Sequence, residues 1–424
     1  MRACMRCGAV WRGLGVQGGA VRVETIAGWA LRLAVHYPTL SGISFTSPTE
    51  KQHYAELYDA AISALDRRHL RNMVTATYKR IYVDEYQDCT ARQHGLLLRL
   101  ADLAPTSVLG DPLQGIFGWS KDPLVEWNTH VLPHFPTLTV ESRPHRWKNT
   151  NPALGKWLLS VRERLIERRP IELSGAPVDW RYNSDQARTS VCLAALGGND
   201  SVVALMDHAN RCHHQAKKLR GHYRSMEELE ARDLRKHASA IDAATGNALA
   251  AALVDTAKAC ATGMPTSITN AGRQYAGGTR PTAQAGSQWA PVYRSLDAVA
   301  DGGQPVDILA AADVLEASLS AHGGFFHRRE CWREFRRALR IQREEGGSLA
   351  AAALAARDGA RHVGRPLELR VISRPALVKG LEYDHAILLD ADAYNATELY
   401  VALTRGAQRL SVLSASSTIT PKGW

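Results

Sequence analysis

No hydrophobic run in the sequence approaches the length of about 20 residues that a membrane-spanning helix requires. The first 20 residues also lack the apolar segment of a secretory signal peptide. Cysteine is scarce and scattered, with an odd count of seven in 424 residues, so a disulfide framework is not expected. These absences argue against membrane-spanning and secreted, disulfide-bonded classes, and they predict a reducing, cytoplasmic location.

The cysteines do not form a recognisable metal-binding pattern. Cys4 and Cys7 have the spacing of half a zinc ribbon, but no second pair follows them. His213 and His214 adjoin Cys212, about 200 residues further along, and they lack the spacing of zinc ligands. Metal binding by the cysteines is therefore not expected.

The overall composition is that of a folded globular protein. Hydrophobic residues make up 45% and charged residues 22% of the chain. Its length of 424 residues allows two or three domains, at about 100–200 residues each. The formal net charge of +10 favours a polyanionic partner such as nucleic acid.

Alternating strand and helix patterns predict an α/β protein. In the first half, a strand over 78–83 ends in acidic residues, a helix follows over 93–103, and a second strand over 106–109 ends in Gly110-Asp111. Such alternation predicts a parallel sheet with functional groups at the carboxyl ends of its strands. Further strands are predicted over 178–182, 201–206, 367–372, 386–389 and 409–413. The alanine-rich stretch 216–360 is predicted to be a helical insertion within this second α/β domain.

Two segments carry candidate chemistry. The apolar strand over 81–83 delivers Asp84 and Glu85, which suit a Mg²⁺ ligand and a group that polarises an attacking water. The second strand is followed by Gln114, an amide that could sense a terminal phosphate. Phe117 and Trp119 either stack on unpaired bases, at about 1–3 kcal/mol per base, or pack in a core.

The motifs VDEYQD (83–88), GDPLQGIFGW (110–119), VKGLEYD (378–384) and YVALTR (400–405) occur in this order. They resemble motifs II, III, V and VI of superfamily 1 helicases of the UvrD/Rep type, from about residue 20 to the end of the sequence. The resemblance implies two RecA-like P-loop NTPase-type domains. The first covers 1–165, with a small helical excursion near 45–77. The second covers 166–215 and 361–424 and contains the helical insertion 216–360.

The resemblance also implies roles for individual residues. Asp84 is the expected Mg²⁺ ligand and Glu85 the expected base, and Gln114 couples the γ-phosphate of ATP to the DNA site. Arg405 is similar to the family's arginine finger and Glu382 to its ribose ligand. The remaining implied contacts are Lys379 and Gly380 in the nucleotide loop, Arg146 (with Arg143 as the alternative) at the γ-phosphate, and Thr25 at single-stranded DNA.

Two departures from the family pattern stand out. No Gly-x-x-x-x-Gly-Lys-[Ser/Thr] phosphate loop occurs in the sequence, and the literal Gly-x-Gly-x-x-Gly over 13–18 precedes a strand-like segment rather than a helix. Either the natural start lies upstream or the gene is degenerate, and slow ATP hydrolysis is expected. The histidine that the family places before Lys-Gly-Leu-Glu is also absent, because residues 374–378 read RPALV.

The sequence thus predicts an ATP-dependent DNA helicase or translocase that acts on single-stranded DNA with ATP and Mg²⁺. The alternative is a non-hydrolysing nucleic-acid-binding or scaffold protein. An arginine stripe over 328–343 either follows a phosphate backbone or forms a solvated helix face, and we favour the second interpretation.

Overall fold

The structure is a computed structural model that describes residues 21–45, 51–116, 122–138, 143–226, 232–363 and 368–424. The chain divides into two compact units, Met1–Arg143 with Ala396–Val401 and Pro144–Asn395 with Ala402–Trp424. Within the described ranges, no helix combines the length and the hydrophobicity needed to cross a membrane. The expected mixed α/β class with a parallel sheet is confirmed.

The first unit packs helices around a pair of short parallel strands. Its elements are α1 (Ile26–His36), α2 (Pro38–Ser41), α3 (Lys51–Ala64), α4 (Arg68–Thr77), β1 (Ile81–Val83), α5 (Ala91–Ala101) and β2 (Thr106–Val108). The two strands pair from Ile81 opposite Thr106 to Val83 opposite Val108, so both deliver their carboxyl ends to one edge. This is the parallel pair that the sequence predicts.

Local sequence explains where the helices of this unit begin. At α1 the Thr25 hydroxyl accepts a hydrogen bond from the Gly28 N–H at 2.9 Å. At α5, Thr90 and Gln93 form a reciprocal capping box that satisfies two otherwise unpaired N–H groups. Leu57, Leu65 and Leu96 are fully buried behind the strands. The burial of each contributes about 1.5–3 kcal/mol.

The second unit is built on a six-stranded parallel sheet in the order β4-β11-β10-β5-β9-β6. Its strands are β4 (Asp179–Tyr182), β5 (Val202–Leu205), β6 (Arg224–Ser225), β9 (Arg370–Ser373), β10 (Tyr383–Leu388) and β11 (Gly406–Ser414). A separate antiparallel pair joins β3 (Ile171–Glu172) to β12 (Thr418–Ile419). Every residue of β5 is buried, as expected for a central strand of a parallel sheet covered on both faces.

Helices alternate with the strands of this sheet along the chain. Outside the segment between β6 and β9, the helices of this unit are α6 (Pro152–Ile166), α7 (Asp185–Ala194), α8 (Ala209–Lys218) and α16 (Pro375–Val378). A further helix, α17 (Ala396–Leu403), is divided between the units, since Ala396–Val401 belong to the first. Between β6 and β9 the chain forms α9 (Arg232–Asp242), α10 (Asn247–Cys260), α11 (Thr266–Ala276), α12 (Ala290–Gly302), α13 (Pro305–Ala321), α14 (Arg329–Glu345) and α15 (Leu349–Val363), with the short pair β7 (Ala261–Thr262) and β8 (Phe325–Phe326). This helical segment has a core of its own.

The arginine stripe lies on α14. Arg336 pairs with Asp313 and Glu316 of α13, each at 2.5 Å. Trp332 and Phe335 of the same helix are buried in the core of the helical segment. These contacts support the interpretation of α14 as a packed helix with internal ion pairs.

Candidate functional site

The carboxyl end of β1 presents two adjacent carboxylates. Asp84 and Glu85 are both exposed, and the Asp84 Oδ1 accepts a hydrogen bond from the Glu85 N–H at 2.9 Å. Glu85 has a φ of 55° and a ψ of 40°, in the left-handed region that residues other than glycine rarely occupy. Such a conformation costs on the order of 1–3 kcal/mol and is concentrated at functional sites.

A buried glutamine joins this carboxylate pair to the end of β2. Gln87 is only 4% exposed. Its Nε2 donates to the Glu85 Oε2 at 2.5 Å, and its Oε1 accepts from the Asp111 N–H at 2.9 Å. Gln87 is not among the site residues predicted from the sequence, although its position two residues after Glu85 in the VDEYQD motif is a usable signal.

Asp111 continues the connection to Gln114. The Asp111 carboxylate accepts from the Leu113 N–H at 3.2 Å and from the Gln114 Nε2 at 3.1 Å, and so it caps a single 3₁₀ turn, Pro112–Gln114. Glu85, Gln87, Asp111 and Gln114 therefore form one hydrogen-bonded path across the ends of β1 and β2. Two of the predicted site residues are brought together in this way.

Tyr86 anchors the same segment from behind. It is fully buried, its hydroxyl lies 2.7 Å from the His94 Nδ1, and its ring meets Trp127 and Phe135 edge-on. Burial raises the pKa of Tyr86. The pKa of His94 is lowered, first by burial and then by His134 and His130. The anchor is thus a neutral, aromatic contact.

In the second unit, the predicted nucleotide loop is a tight turn. The Leu381 N–H donates to the Val378 carbonyl at 2.9 Å, Lys379 has φ −53° and ψ 135°, and Gly380 has φ +74°. These values match a type II turn, which requires a positive φ at its third residue and therefore favours glycine there. Lys379 and Gly380 are thus the two central residues of this turn.

Two arginines converge on this loop from distant parts of the sequence. The buried Arg405 donates from its Nη1 to the Leu381 carbonyl at 3.0 Å and from its Nη2 to the Thr404 Oγ1 at 2.9 Å. Arg146 pairs with the Glu382 carboxylate at 3.2 Å and donates to the Thr404 carbonyl. The predicted residues Arg146, Glu382 and Arg405 thus lie within one network of the second unit.

The predicted DNA contacts are only partly within the described residues. Thr25 is exposed and caps α1, which gives its hydroxyl a structural partner. Phe117 and Trp119 lie outside the described residues. Arg143, the alternative to Arg146, is exposed.

The donor set at β1 fits Mg²⁺ in the form of a metal–nucleotide complex. Within the described part of the chain, no group of three or more His, Cys, Asp or Glu side chains could hold a metal by itself. Mg²⁺ is commonly held by one or two carboxylates together with substrate phosphates. The exposed Asp84 carboxylate at the strand tip suits that arrangement.

Comparison with known families identifies the segment around β1 and β2. Residues 45–122 match the UvrD/REP helicase N-terminal domain. This segment is UvrD/Rep-like. It contains Asp84, Glu85, Gln87 and Gln114, so the matched segment includes the whole hydrogen-bonded path. A comparison of the whole chain with curated proteins gives no match.

Proposed function

We propose that the chain is an ATP-dependent DNA helicase or translocase of the UvrD/Rep type that acts on single-stranded DNA. The observation that carries this proposal is the hydrogen-bonded path from Glu85 to Gln114, which lies within the UvrD/Rep-like segment. Phosphoryl transfer depends on positioning of the attacking water and on electrostatic contacts to the terminal phosphate. Glu85 and Gln114 are suited to these two tasks.

The proposed fold consists of two RecA-like domains. The first covers 1–165, and the second covers 166–215 and 361–424 with the helical insertion 216–360. The parallel pairing of β1 with β2 and the parallel six-stranded sheet support this arrangement. The helical segment between β6 and β9, with its own core, supports the insertion.

In the first proposed domain, Asp84 holds Mg²⁺ together with the phosphates of ATP, and Glu85 accepts a proton from the attacking water. Gln114 contacts the γ-phosphate through the amide that now faces Asp111. The match of residues 45–122 to the UvrD/REP helicase N-terminal domain supports ATP and Mg²⁺ as the proposed nucleotide and metal. The bound Mg²⁺ supplies positive charge that offsets the charge of the phosphates.

In the second proposed domain, Arg405 stabilises the charge of the transferred phosphoryl group, and Arg146, near the end of the first proposed domain, contacts the γ-phosphate. Arg405 must exchange its hydrogen bond to the Leu381 carbonyl in order to reach a phosphate. Glu382 contacts the ribose, and Lys379 and Gly380 shape the loop that carries it. Single-stranded DNA is proposed to contact Thr25, Phe117 and Trp119.

The alternative is a nucleic-acid-binding protein that does not hydrolyse ATP. The sequence favours it in one respect, since no Gly-x-x-x-x-Gly-Lys-[Ser/Thr] loop is present to supply a backbone N–H cradle and a lysine for the phosphates. A slow ATPase with weak ATP binding is therefore the expected form of the proposed activity.

The test is phosphate release at millimolar Mg-ATP, with and without single-stranded DNA, for the wild type and Glu85→Gln. We expect stimulation by DNA and a loss of about 10²–10⁴-fold in the variant, because a general base contributes about that much. The amide that replaces the carboxylate still accepts the hydrogen bond from Gln87, so the fold is retained. The matched control is Glu56→Gln, at an exposed position on α3 of the same unit.

Binding of a labelled single-stranded oligonucleotide distinguishes the two candidate functions. Equal binding by wild type and Glu85→Gln, with turnover only in the wild type, supports the helicase proposal. Binding without turnover in either protein establishes the non-hydrolysing alternative instead.

A further inference from the structure

We propose that Gln87 is a positioning residue for the reaction, which holds the Glu85 carboxylate at a fixed place relative to Gln114. This inference rests on the proposed function, because it assigns Glu85 the role of base. It adds a residue that touches neither ATP nor DNA and acts through the hydrogen bonds of its amide.

The amide of Gln87 has only one consistent orientation. The Asp111 N–H is a donor, so the oxygen of the Gln87 amide must face it, at 2.9 Å. The amide NH₂ then faces Glu85 at 2.5 Å. The NH₂ group is a donor and a carboxylate oxygen is an acceptor, so this hydrogen bond fixes one oxygen of the Glu85 carboxylate in place.

The surroundings leave the amide little room to move. A Cβ added at Gly110 would lie 2.6 Å from the Gln87 Oε1 and 2.8 Å from the Trp127 ring. The absence of a side chain at position 110 therefore makes space for the amide. Gln87 itself is nine-tenths buried, so water does not replace its hydrogen bonds easily.

Glu85 needs such a partner because its side chain is exposed and its backbone is in the left-handed region. An exposed glutamate loses considerable rotamer entropy when it is fixed in one place. The bond from Gln87 fixes the carboxylate before substrate arrives, and Asp111 fixes Gln114 at the other end of the same path. Prior fixation of this kind lowers the entropic part of an activation barrier.

The first experiment replaces Gln87 with glutamate and measures kcat/KM against pH, which reports ionisations of the free enzyme and needs no saturation with ATP. Two carboxylates in contact share a proton up to higher pH than either does alone. We expect the acidic limb of the pH profile of Gln87→Glu to lie about one pH unit or more above that of the wild type. At pH values below this limb, kcat/KM of the variant is then about tenfold or more below that of the wild type. Purely structural damage lowers the rate equally at every pH.

Gln93→Glu is the matched control. It is the same substitution on α5 of the same unit, where Gln93 accepts from the Thr90 N–H at 2.9 Å and donates to the Tyr58 hydroxyl at 2.8 Å. Glutamate serves equally well at this position of a capping box. We expect its pH profile to match that of the wild type.

A second experiment tests the contact without turnover, by chemical denaturation at pH 8. Gln87→Glu is expected to unfold at a lower denaturant concentration than the wild type. The double variant Glu85→Gln with Gln87→Glu is expected to regain most of the stability that Gln87→Glu loses. In the double variant an amide and a carboxylate again face each other, and the Asp111 N–H still has an acceptor. The double variant is expected to show no turnover, because its carboxylate is at the wrong position.

The outcomes separate the two proposals. Suppose the wild type turns over ATP, but the acidic limb of Gln87→Glu is not shifted or the double variant does not regain stability. Either result overturns the role of Gln87 and leaves the proposed function standing. If the double variant regains stability but the wild type shows no turnover, the contact between Gln87 and Glu85 exists, but the proposed function is overturned and the catalytic role of Gln87 with it. Turnover, a shifted limb and rescue together support both.

Discussion

At the scale of single residues, the motif VDEYQD predicts which carboxylates lie at the tip of β1 but not how they are held. That Asp84 and Glu85 follow a strand is visible in the sequence, because an apolar run ends abruptly in charge. The left-handed backbone of Glu85 and its bond to Gln87 are not visible. Both depend on β2, since the pairing of the strands brings Asp111 to Gln87 across 24 positions of the chain.

His385 on β10 provides a second case, in which burial decides the chemistry of a side chain. It is 6% exposed, and its Nε2 lies 2.9 Å from the Ser411 Oγ. Burial, and secondarily Arg409, lower its pKa to about 4, although Asp179 and Asp200 act in the opposite direction. His385 is therefore neutral in the folded protein near neutral pH.

This depression makes stability depend on pH. In the unfolded chain a histidine binds a proton below about pH 6.5, whereas folded His385 binds one only near pH 4. Its contribution is thus complete above pH 6.5 and is lost as pH falls towards 4, because the unfolded state binds more protons in that range. We expect His385→Gln to flatten the fall in unfolding free energy between pH 7 and 4, by up to about 3 kcal/mol.

The measurement is chemical denaturation at several pH values in this range. His222→Gln, at an exposed position of the same unit, is the control and should keep the wild-type slope. A His385→Gln slope equal to that of the wild type would show that His385 gains its proton equally in the folded and unfolded states.

At the scale of elements, the sequence predicts most strands of the second unit, but it does not predict where every strand and helix begins and ends. The predicted strands over 178–182 and 409–413 correspond to β4 and β11, while the strand predicted over 367–372 begins at Arg370 in the described residues. The predicted helix over 51–69 ends at Ala64, and a new helix begins at Arg68. Such boundaries depend on tertiary contacts that a local pattern does not contain.

The turn over 378–381 is the element on which the network of the second unit depends. Gly380 has a φ of +74°, and the carbonyls of Val378 and Leu381 accept hydrogen bonds from Arg405. We expect Gly380→Ala to lower the unfolding free energy by about 1–2 kcal/mol, the cost of the left-handed region for a residue with a Cβ. Gly380→Asn should cost less, because asparagine tolerates this region.

Denaturation of the two variants side by side tests this turn. We expect the wild type to be the most stable, Gly380→Asn to be less stable, and Gly380→Ala to be the least stable. Equal stability of the Ala and Asn variants would show that backbone conformation at position 380 is not what limits the turn. No Cβ clash confounds the comparison, since among the described residues other than position 380 and its two chain neighbours no heavy atom lies within 4 Å of a Cβ placed there.

At the scale of the whole molecule, the change in texture along the sequence predicted a helical segment inside an α/β unit, and the structure has helices between β6 and β9. The strand order β4-β11-β10-β5-β9-β6 was not predictable in the same way. It places β5 beside β10 although about 180 residues separate them, and local periodicity carries no information on such pairing.

The net charge of +10 is a property of the whole chain, and it supports a prediction about the proposed DNA binding. Contacts between arginine or lysine and phosphates release counterions, so the logarithm of the binding constant falls linearly with the logarithm of salt concentration, by about 0.7 per contact on a single strand. We expect a clearly negative slope for single-stranded DNA, measured by fluorescence anisotropy from about 50 to 200 mM salt.

The size of that slope distinguishes two sources of affinity. Base stacking on aromatic side chains depends little on salt, whereas contacts with the phosphates depend on it steeply. A slope near zero with measurable affinity would mean that stacking dominates and that the basic charge of the chain does not serve DNA binding. A steep slope that is unchanged by Glu85→Gln would mean that binding and hydrolysis use separate side chains, as the proposed assignment of Glu85 requires.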